Sequence, residues 1–156
     1  MATLTAANPR QYSGAVMEID EDHYVKNGTS WKCGQFLYAD TSGRLNVCAG
    51  DASKIQYQAM TDVSDPGAED TVKAPVRVIR DDVDFIGNMT SGTNPAVDAL
   101  YSLDVASNVC TIDPSAGSNK DIKVVGLMSD RDPANYTTAD TLAKVIFRVI
   151  YSGIDS

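Results

Sequence analysis

The sequence predicts an all-β fold: a compact β-barrel or a jelly-roll-like sandwich with few short helical turns. The first observation is period-two alternation, seen in "KIQYQAM", where Ile55, Tyr57 and Ala59 share one face and the glutamines between them share the other. The second is frequent turn chemistry, as in the predicted hairpin "DTSGR" at 40–44. The third is a weak helical signal. Short strands with many turns are typical of a sandwich or a barrel.

Two later strands are predicted to lie at the centre of the fold. "IKVVGLM" at 122–128 and "AKVIFRVIY" at 143–151 are apolar on both faces and rich in branched and aromatic residues, which pack well on pleated surfaces. Capping residues allow short helical turns in "NPAVDALY" at 94–101 and "TTADTLAKVI" at 137–146, although the second runs into strong strand formers.

The chain contains nearly the same phrase twice, at 34–62 and at 97–130. Each copy has Leu-Tyr, an Asp, a polar turn, Val-Cys, a loop of small residues and an alternating run that ends near Met and Asp. "VRVI" at 76–79 is echoed by "FRVI" at 147–150. A duplication predicts two half-units, at 34–85 and 97–155, with related strand paths and with Tyr38 and Tyr101 in equivalent positions. Chance reuse of common β-sheet phrases is the alternative.

The net charge of the chain argues against two classes of partner. The chain has 156 residues, with 13 Lys and Arg against 21 Asp and Glu, a net charge of −8 and a pI near 4.4. Such a field repels nucleic-acid backbones and anionic membranes, so neither is an expected partner. The start of the sequence does not read as a signal peptide and no apolar run is long enough to span a bilayer, so we expect synthesis in the cytoplasm.

The residues that carry chemistry fall in no recognisable catalytic or metal-binding pattern. His23 is the single histidine, and the three cysteines form no C-x-x-C pair, so reduced thiols are expected. The carboxylate clusters at 18–22, 81–84 and 130–132 lack the glycine and terminal glutamate of a calcium loop and are interpreted as solvated. Trp31 is expected to be a core or interface anchor. We therefore expect no enzyme activity, no catalytic residue, no cofactor and no metal.

The first residues are predicted to differ in role from the rest. Residues 1–30 are interpreted as an N-terminal arm and lead-in, and residues 31–156 as a single β-domain. The segment 2–17 is low in charge, and its distinctive side chains are Pro9, Arg10 and Tyr12. These three are the candidate partner-binding residues, on an arm that orders on a neighbouring subunit; a frayed terminus is the alternative.

The stretch "GQFLYADTSGRLNVCAGDASKIQYQAM" resembles a part of the capsid decoration (cement) proteins of tailed phages. In that family a Gly and a Leu-Tyr open a strand, an Asp and a Gly make the turn, and an alternating strand returns after a small-residue loop. The matching residues here are Gly34, Leu37, Tyr38, Asp40 and Gly43, followed by the strand 55–60. The second phrase fits the same outline, so the resemblance covers about two thirds of the chain.

The resemblance implies a compact β-fold that forms a homotrimer on the outside of an icosahedral head and stabilises contacts between major capsid subunits. The expected location is then the capsid exterior of the virion. Two rival classes stay open: a non-catalytic, carbohydrate-binding-like β-sandwich, which needs an exposed aromatic row, and a trimeric β-fold enzyme with sites between subunits. The tyrosines are expected to point mostly inward, which places the binding module second.

Overall fold

The computed structural model describes residues 6–90, 96–114, 119–128 and 144–150, and within them the chain forms strands and turns without a helix. The strands are, in chain order, β1 (Arg10–Gly14), β2 (Ile19–Asp20), β3 (Phe36–Ala39), β4 (Leu45–Val47), β5 (Tyr57–Ala59), β6 (Val76–Val78), β7 (Val83–Asn88), β8 (Leu100–Ala106), β9 (Val109–Asp113), β10 (Ile122–Met128) and β11 (Lys144–Val149). The all-β prediction is confirmed.

The strands form two antiparallel sheets, an arrangement compatible with a sandwich. The larger sheet has the order β1-β7-β11-β10-β8-β9, and the smaller has the order β2-β6-β5-β3-β4. In the described residues neither sheet closes into a continuous barrel. The two apolar strands β10 and β11 lie in the middle of the larger sheet, as the sequence predicted, and each pairs with a strand on both sides.

The two sheets repeat the same connectivity. We call β2–β6 the first unit and β7–β11 the second unit. The first unit has the order β4-β3-β5-β6-β2, and the second has the order β9-β8-β10-β11-β7, with every pair antiparallel. The strand β1 is an addition at the edge of the second unit. The prediction of related strand paths is therefore confirmed, but its boundaries are corrected: the first unit begins with β2, before residue 34, and β7 belongs to the second unit and not to the end of the first.

Each sheet also curls in the same way. An isolated parallel bridge joins Val25, downstream of β2, to Leu45 in β4, and another joins Met89, directly after β7, to Ile112 in β9. Each bridge carries an equivalent backbone bond, from Lys26 N to Leu45 O at 3.0 Å and from Thr90 N to Ile112 O at 2.8 Å. In each unit the segment that follows the first strand thus meets the third strand outside the main ladders.

The register corrects the predicted equivalence of the two tyrosines. The partner of Tyr57 in β3 is Leu37, and the partner of Ile122 in β8 is Tyr101. Tyr101 therefore corresponds to Leu37, and the phrase match is displaced by one residue. By contrast, Arg77 opposite Gln58 and Arg148 opposite Lys123 are equivalent, as the "VRVI" and "FRVI" match predicted.

Two hydrophobic clusters form the core. The cluster of the first unit consists of Val25, Trp31, Leu37, Leu45, Tyr57, Ala59, Ala74 and Val76. The larger cluster contains the apolar side chains of the second unit together with Met17, Phe36, Cys48, Ile55 and Ile79. Trp31 is buried, which confirms the expected core anchor, and the three cysteines are free thiols, two of them buried.

Phe36 joins the two units. Its ring packs edge-on against Phe85 at 5.3 Å and against Phe147 at 6.2 Å between centroids. Its backbone carbonyl accepts from the Cys48 amide at 3.0 Å, and its own amide donates to Cys110 Sγ at 3.4 Å. One residue of the first unit therefore completes the core of the second.

The segments that allowed helical turns contain no helix in their described residues. In 94–101 a turn at 97–98 leads into β8, and β11 begins at Lys144. Residues 94–95 and 137–143 lie outside the described residues. Branched and aromatic side chains in these segments pack in the sheet, and this packing outweighs their weak capping signals.

Candidate partner-binding edge

The N-terminal segment is hydrogen-bonded to the domain at Asn8, just upstream of its accessible residues. Asn8 Oδ1 accepts from the Cys110 amide at 2.8 Å, and Asn8 Nδ2 donates to the carbonyls of Asn108 at 3.0 Å and Cys33 at 3.4 Å. Its side chain thereby bonds to both units. The predicted arm is thus held on its own domain in this structure, and its ordering on a neighbour stays a prediction.

The neighbouring residues strengthen this attachment. The amide of Ala7 donates to Asn88 Oδ1 at 3.1 Å, and the carbonyl of Pro9 accepts from Gln58 Nε2 at 2.7 Å. Pro9 is buried in this chain, and its role as a partner-binding residue stays a prediction. Since proline has no N–H, its place just before β1 leaves no ladder donor unpaired.

Arg10–Gly14 then pairs along β7. The register shifts between Gln11 and Ser13, so Tyr12 has no opposite residue and its side chain is 52% exposed. The strand ends at Gly14, with a φ of 108°, where an added Cβ would lie 2.4 Å from the carbonyl oxygen of Asp82. Only glycine allows so close an approach to β7, and it terminates the pairing.

Arg10 and Tyr12 are thus both exposed on the outermost strand, and Val16, just beyond it, is 94% exposed. Met17 is buried in the core and fixes the end of this segment. The predicted site residues therefore separate into one anchor, Pro9, and two accessible side chains, Arg10 and Tyr12. Sequence reasoning missed Asn8 and Val16. Nothing in the sequence distinguishes Asn8 from a surface residue, because its partners lie 25 to 102 positions away.

A polar network lies beside this strand on β7. Asp84 accepts from Ser13 Oγ at 3.2 Å and from Arg148 Nε at 2.9 Å. The hydrogen bond with Asp84 raises the pKa of Arg148, and the nearby charges of Asp81 and Asp82 act in the same direction. Within the acidic cluster at 81–84, Asp84 therefore links β7 to β1 and β11. The cation that β1 itself presents is Arg10.

Among the strands at the edges of the two sheets, β1 is the one that we consider accessible to a partner strand. The outer edges of β4 and β9 are bridged by Val25 and Met89, and β2 is two residues long. In the described part of the chain, β1 is then the edge strand of more than two residues that no other segment bridges. Edge strands present unpaired backbone groups that accept another strand, unless a charge, a proline or a bulge prevents it. Here Pro9 and the bulge at Tyr12 limit this pairing to a short stretch.

His23, the one histidine weighed as a base, has structural partners at both ring nitrogens. Its Nε2 lies 3.1 Å from Asp20 Oδ2 and 3.4 Å from the Tyr57 hydroxyl, and its Nδ1 lies 2.9 Å from the Gly43 carbonyl. Burial, and to a lesser extent Asp20, raises the pKa of Tyr57. The described contacts therefore join β2, β5 and the β3–β4 turn rather than a nucleophile and a base.

Two further observations bear on chemistry. No group of three or more His, Cys, Asp or Glu side chains in the described residues is arranged to hold a metal ion. None of the described segments forms a helix long and apolar enough to cross a membrane.

Comparison with known proteins returns no family, relative or fold neighbour: no family model, no curated protein and no solved structure matches this chain at a significant level.

Proposed function

We propose that this chain is a non-catalytic structural protein of the virion, a decoration protein that binds the outside of an icosahedral phage capsid and stabilises contacts between major capsid subunits. The observation that carries the proposal is the exposed edge of β1, where Arg10 and Tyr12 are accessible on a strand anchored to both units. The partners are the major capsid protein and further copies of this chain, most simply in a trimer.

The anchoring of the edge suits a protein that must bear load. Asn8 and Pro9 bond to both units immediately before β1, so a partner held at the edge is connected to the whole domain and not to a loose tail. A short edge offers little area, and a single contact of this kind is weak. Repetition by symmetry raises the avidity by orders of magnitude without any new type of contact.

The charge of the chain fits the same role. A net charge of −8 keeps a protein soluble at high concentration and repels other acidic surfaces, whereas the segment 6–17 carries Arg10 as its one charged residue. Contact through this segment therefore avoids the acidic remainder of the domain. No cofactor, nucleic acid or membrane has a role in the proposal.

The test is co-sedimentation of the purified full-length chain with undecorated phage heads, with and without a chelator. We expect the chain to pellet with the heads and to raise their resistance to heat, since a ligand that favours the assembled state stabilises it. The double variant Arg10→Glu/Tyr12→Ala should lower the apparent affinity at least about tenfold, because both accessible side chains are lost.

The matched control is Arg77→Glu/Tyr24→Ala, which makes the same changes at exposed positions of the first unit. It should bind heads as the unaltered chain does. Point variants are preferable to deletion of residues 1–17, because that deletion also removes β1 and the buried Met17. Failure of the full-length chain to pellet with heads of its own source would overturn the decoration proposal. Equal losses in the two double variants would overturn the assignment to β1.

A further inference from the structure

A cleft of about 470 Å³ lies on the first unit, and none of its lining residues belongs to β1. One wall is 38–41, the end of β3 and the start of its hairpin turn, and the other is the loop 49–54. Ligand clefts commonly have volumes of about 300–1,000 Å³. This cleft is at the small end of that range and suits one or two sugar-sized rings.

The hairpin wall is held by its own turn. Asp40 Oδ1 accepts from the amides of Ser42 at 2.9 Å and Arg44 at 3.0 Å, while the Asp40 amide donates to the Arg44 carbonyl. An aspartate that bonds to the backbone two residues on stabilises a tight turn. The position of this carboxylate in the cleft is therefore set before any ligand arrives.

The loop wall is held by the second unit. The Asp51 amide donates to the carbonyl of Leu103 at 2.7 Å, and the Asn119 amide donates to Asp51 Oδ1 at 2.8 Å. Asn119 Nδ2 also donates to the Asp51 carbonyl at 2.9 Å. Asp51 has a φ of 57°, in the left-handed region that Asp tolerates better than most residues. Both walls are thus preorganised, which lowers the entropic cost of binding.

The lining combines three kinds of group. Asp40 and Asp51 contribute carboxylates, Lys54 contributes an ammonium group, and Tyr38, Thr41 and Ser53 contribute hydroxyls. Alanine residues 39, 49 and 52 provide small apolar surfaces between them. Tyr57 is buried and Tyr38 and Tyr101 pack half-buried against the larger core, as expected, whereas Tyr12 and Tyr24 are exposed, so the expectation that the tyrosines point mostly inward is wrong for these two; Tyr136 and Tyr151 lie outside the described residues.

This combination excludes several ligand classes. Two carboxylates against one ammonium group disfavour an anion, and the polar lining disfavours a purely apolar molecule. A neutral polyhydroxylated ring fits, because its hydroxyls donate to carboxylates and accept from Lys54 and the protein hydroxyls, while its C–H faces contact alanine and tyrosine. We propose that this cleft binds a neutral saccharide of one or two rings, independently of capsid attachment.

The experiment is an NMR titration of the full-length, ¹⁵N-labelled protein. The probes are glucose, galactose, N-acetylglucosamine and maltose, with N-acetylneuraminic acid as the anionic comparison. We expect at least one neutral probe to shift amide signals of 39–42 and 49–54 with a millimolar Kd. The variants Thr41→Val and Lys54→Met should each weaken that probe at least about fivefold, since each removes one hydrogen-bonding group.

The control variant is Lys73→Met, whose ammonium group lies over Tyr24 and not at the cleft. It should leave the titration unchanged. Absence of shifts with every neutral probe, binding of the anionic probe alone, or shifts elsewhere in the spectrum would each overturn the proposal. Capsid co-sedimentation of the Lys54→Met variant should match that of the unaltered chain, so failure of one proposal is distinguishable from failure of the other.

Discussion

Gly34 and Asp98 occupy equivalent positions in the two units. The Gly34 amide donates to the Ala59 carbonyl at 2.9 Å, and the Asp98 amide donates to the Val124 carbonyl at 2.7 Å. Both residues have positive φ, 88° and 69°. In each unit the carbonyl of the next residue also accepts from the amide of the same partner residue. The same backbone irregularity therefore precedes β3 and β8.

This equivalence predicts that substitutions at the two positions change the free energy of unfolding by different amounts. Gly34→Ala should lower the free energy of unfolding by about 1–3 kcal/mol, because a residue with a Cβ is unfavourable at this positive φ. It would also lie 3.0 Å from Asn8 Cβ. Asp98→Gly should change the stability by less than about 1 kcal/mol, since relief of the backbone offsets the added freedom of the unfolded chain. Urea unfolding of both variants is the measurement. A larger loss for Asp98→Gly than for Gly34→Ala would contradict the equivalence.

Phe36 and Leu100 are a second equivalent pair with unequal environments. Phe36 is fully buried between the units, whereas Leu100 is 44% exposed. Phe36→Ala should cost about 3–5 kcal/mol, because it leaves a cavity against Phe85 and Phe147. Leu100→Ala, the matched control, should cost less than about 1 kcal/mol. Calorimetry checks both, and similar losses would show that Phe36 does not join the two cores.

Asn8 is expected to fix the N-terminal segment to the domain. Asn8→Ala removes the acceptor of the buried Cys110 amide and should lower the stability by about 1–3 kcal/mol. Asn8→Asp keeps that acceptor, but its second carboxylate oxygen faces the carbonyls of Asn108 and Cys33, so this variant should also lose stability and differ from Asn8→Ala at the Cys110 amide alone. Hydrogen exchange at the Cys110 amide should accelerate in Asn8→Ala and much less in Asn8→Asp. Equal acceleration in both would rule out the acceptor role.

The two buried thiols predict a loss of stability at alkaline pH. Burial raises the pKa of Cys110 from its ordinary 9.0 to about 12 and that of Cys48 well above 9.0. As the pH rises past 9, the unfolded chain releases these protons while the folded chain retains them. Stability should therefore be full below about pH 9 and should fall as the pH rises toward 12.

Unfolding by urea at several pH values between about 8 and 10 measures this dependence. Cys48→Ala should reduce the slope by up to about one proton, because one raised thiol is removed. Tyr57, whose pKa is also raised, contributes in the same direction at the upper end and is common to both proteins. An identical slope in the variant would show that Cys48 does not carry the effect.

Cys33, which is exposed, should react with a thiol reagent in the folded protein, whereas the other two should react on unfolding.

Local patterns explain how much of the fold was predictable. Alternation at 54–60 and the apolar runs at 122–128 and 143–151 correspond to β5, β10 and β11, because side-chain period and branched residues report directly on a pleated surface. The turn at 40–44 joins β3 to β4 for the same local reason. The repeated phrase indicated two related units, and their strand orders agree.

The candidate site was predictable only in part. The low-charge segment drew attention to Arg10 and Tyr12, which are accessible, but it also indicated Pro9, which is buried. Accessibility here depends on Gln58 and on β7, and neither is near Pro9 in the sequence. The cleft between 38–41 and 49–54 was not predicted, since its loop wall is positioned by Leu103 and Asn119 of the other unit.

The sequence by itself determined the all-β class, the turn at 40–44 and the strands β5, β10 and β11, because these follow from side-chain patterns among residues close in the chain, and the repeated phrase indicated two related units. Only the tertiary structure decided that Tyr101 corresponds to Leu37 and that Asn8 bonds to both units. It also decided that β1 is the accessible edge. Register depends on which backbone groups pair across strands, and a shift of one residue reverses every side chain, so letters that match along the chain do not specify it.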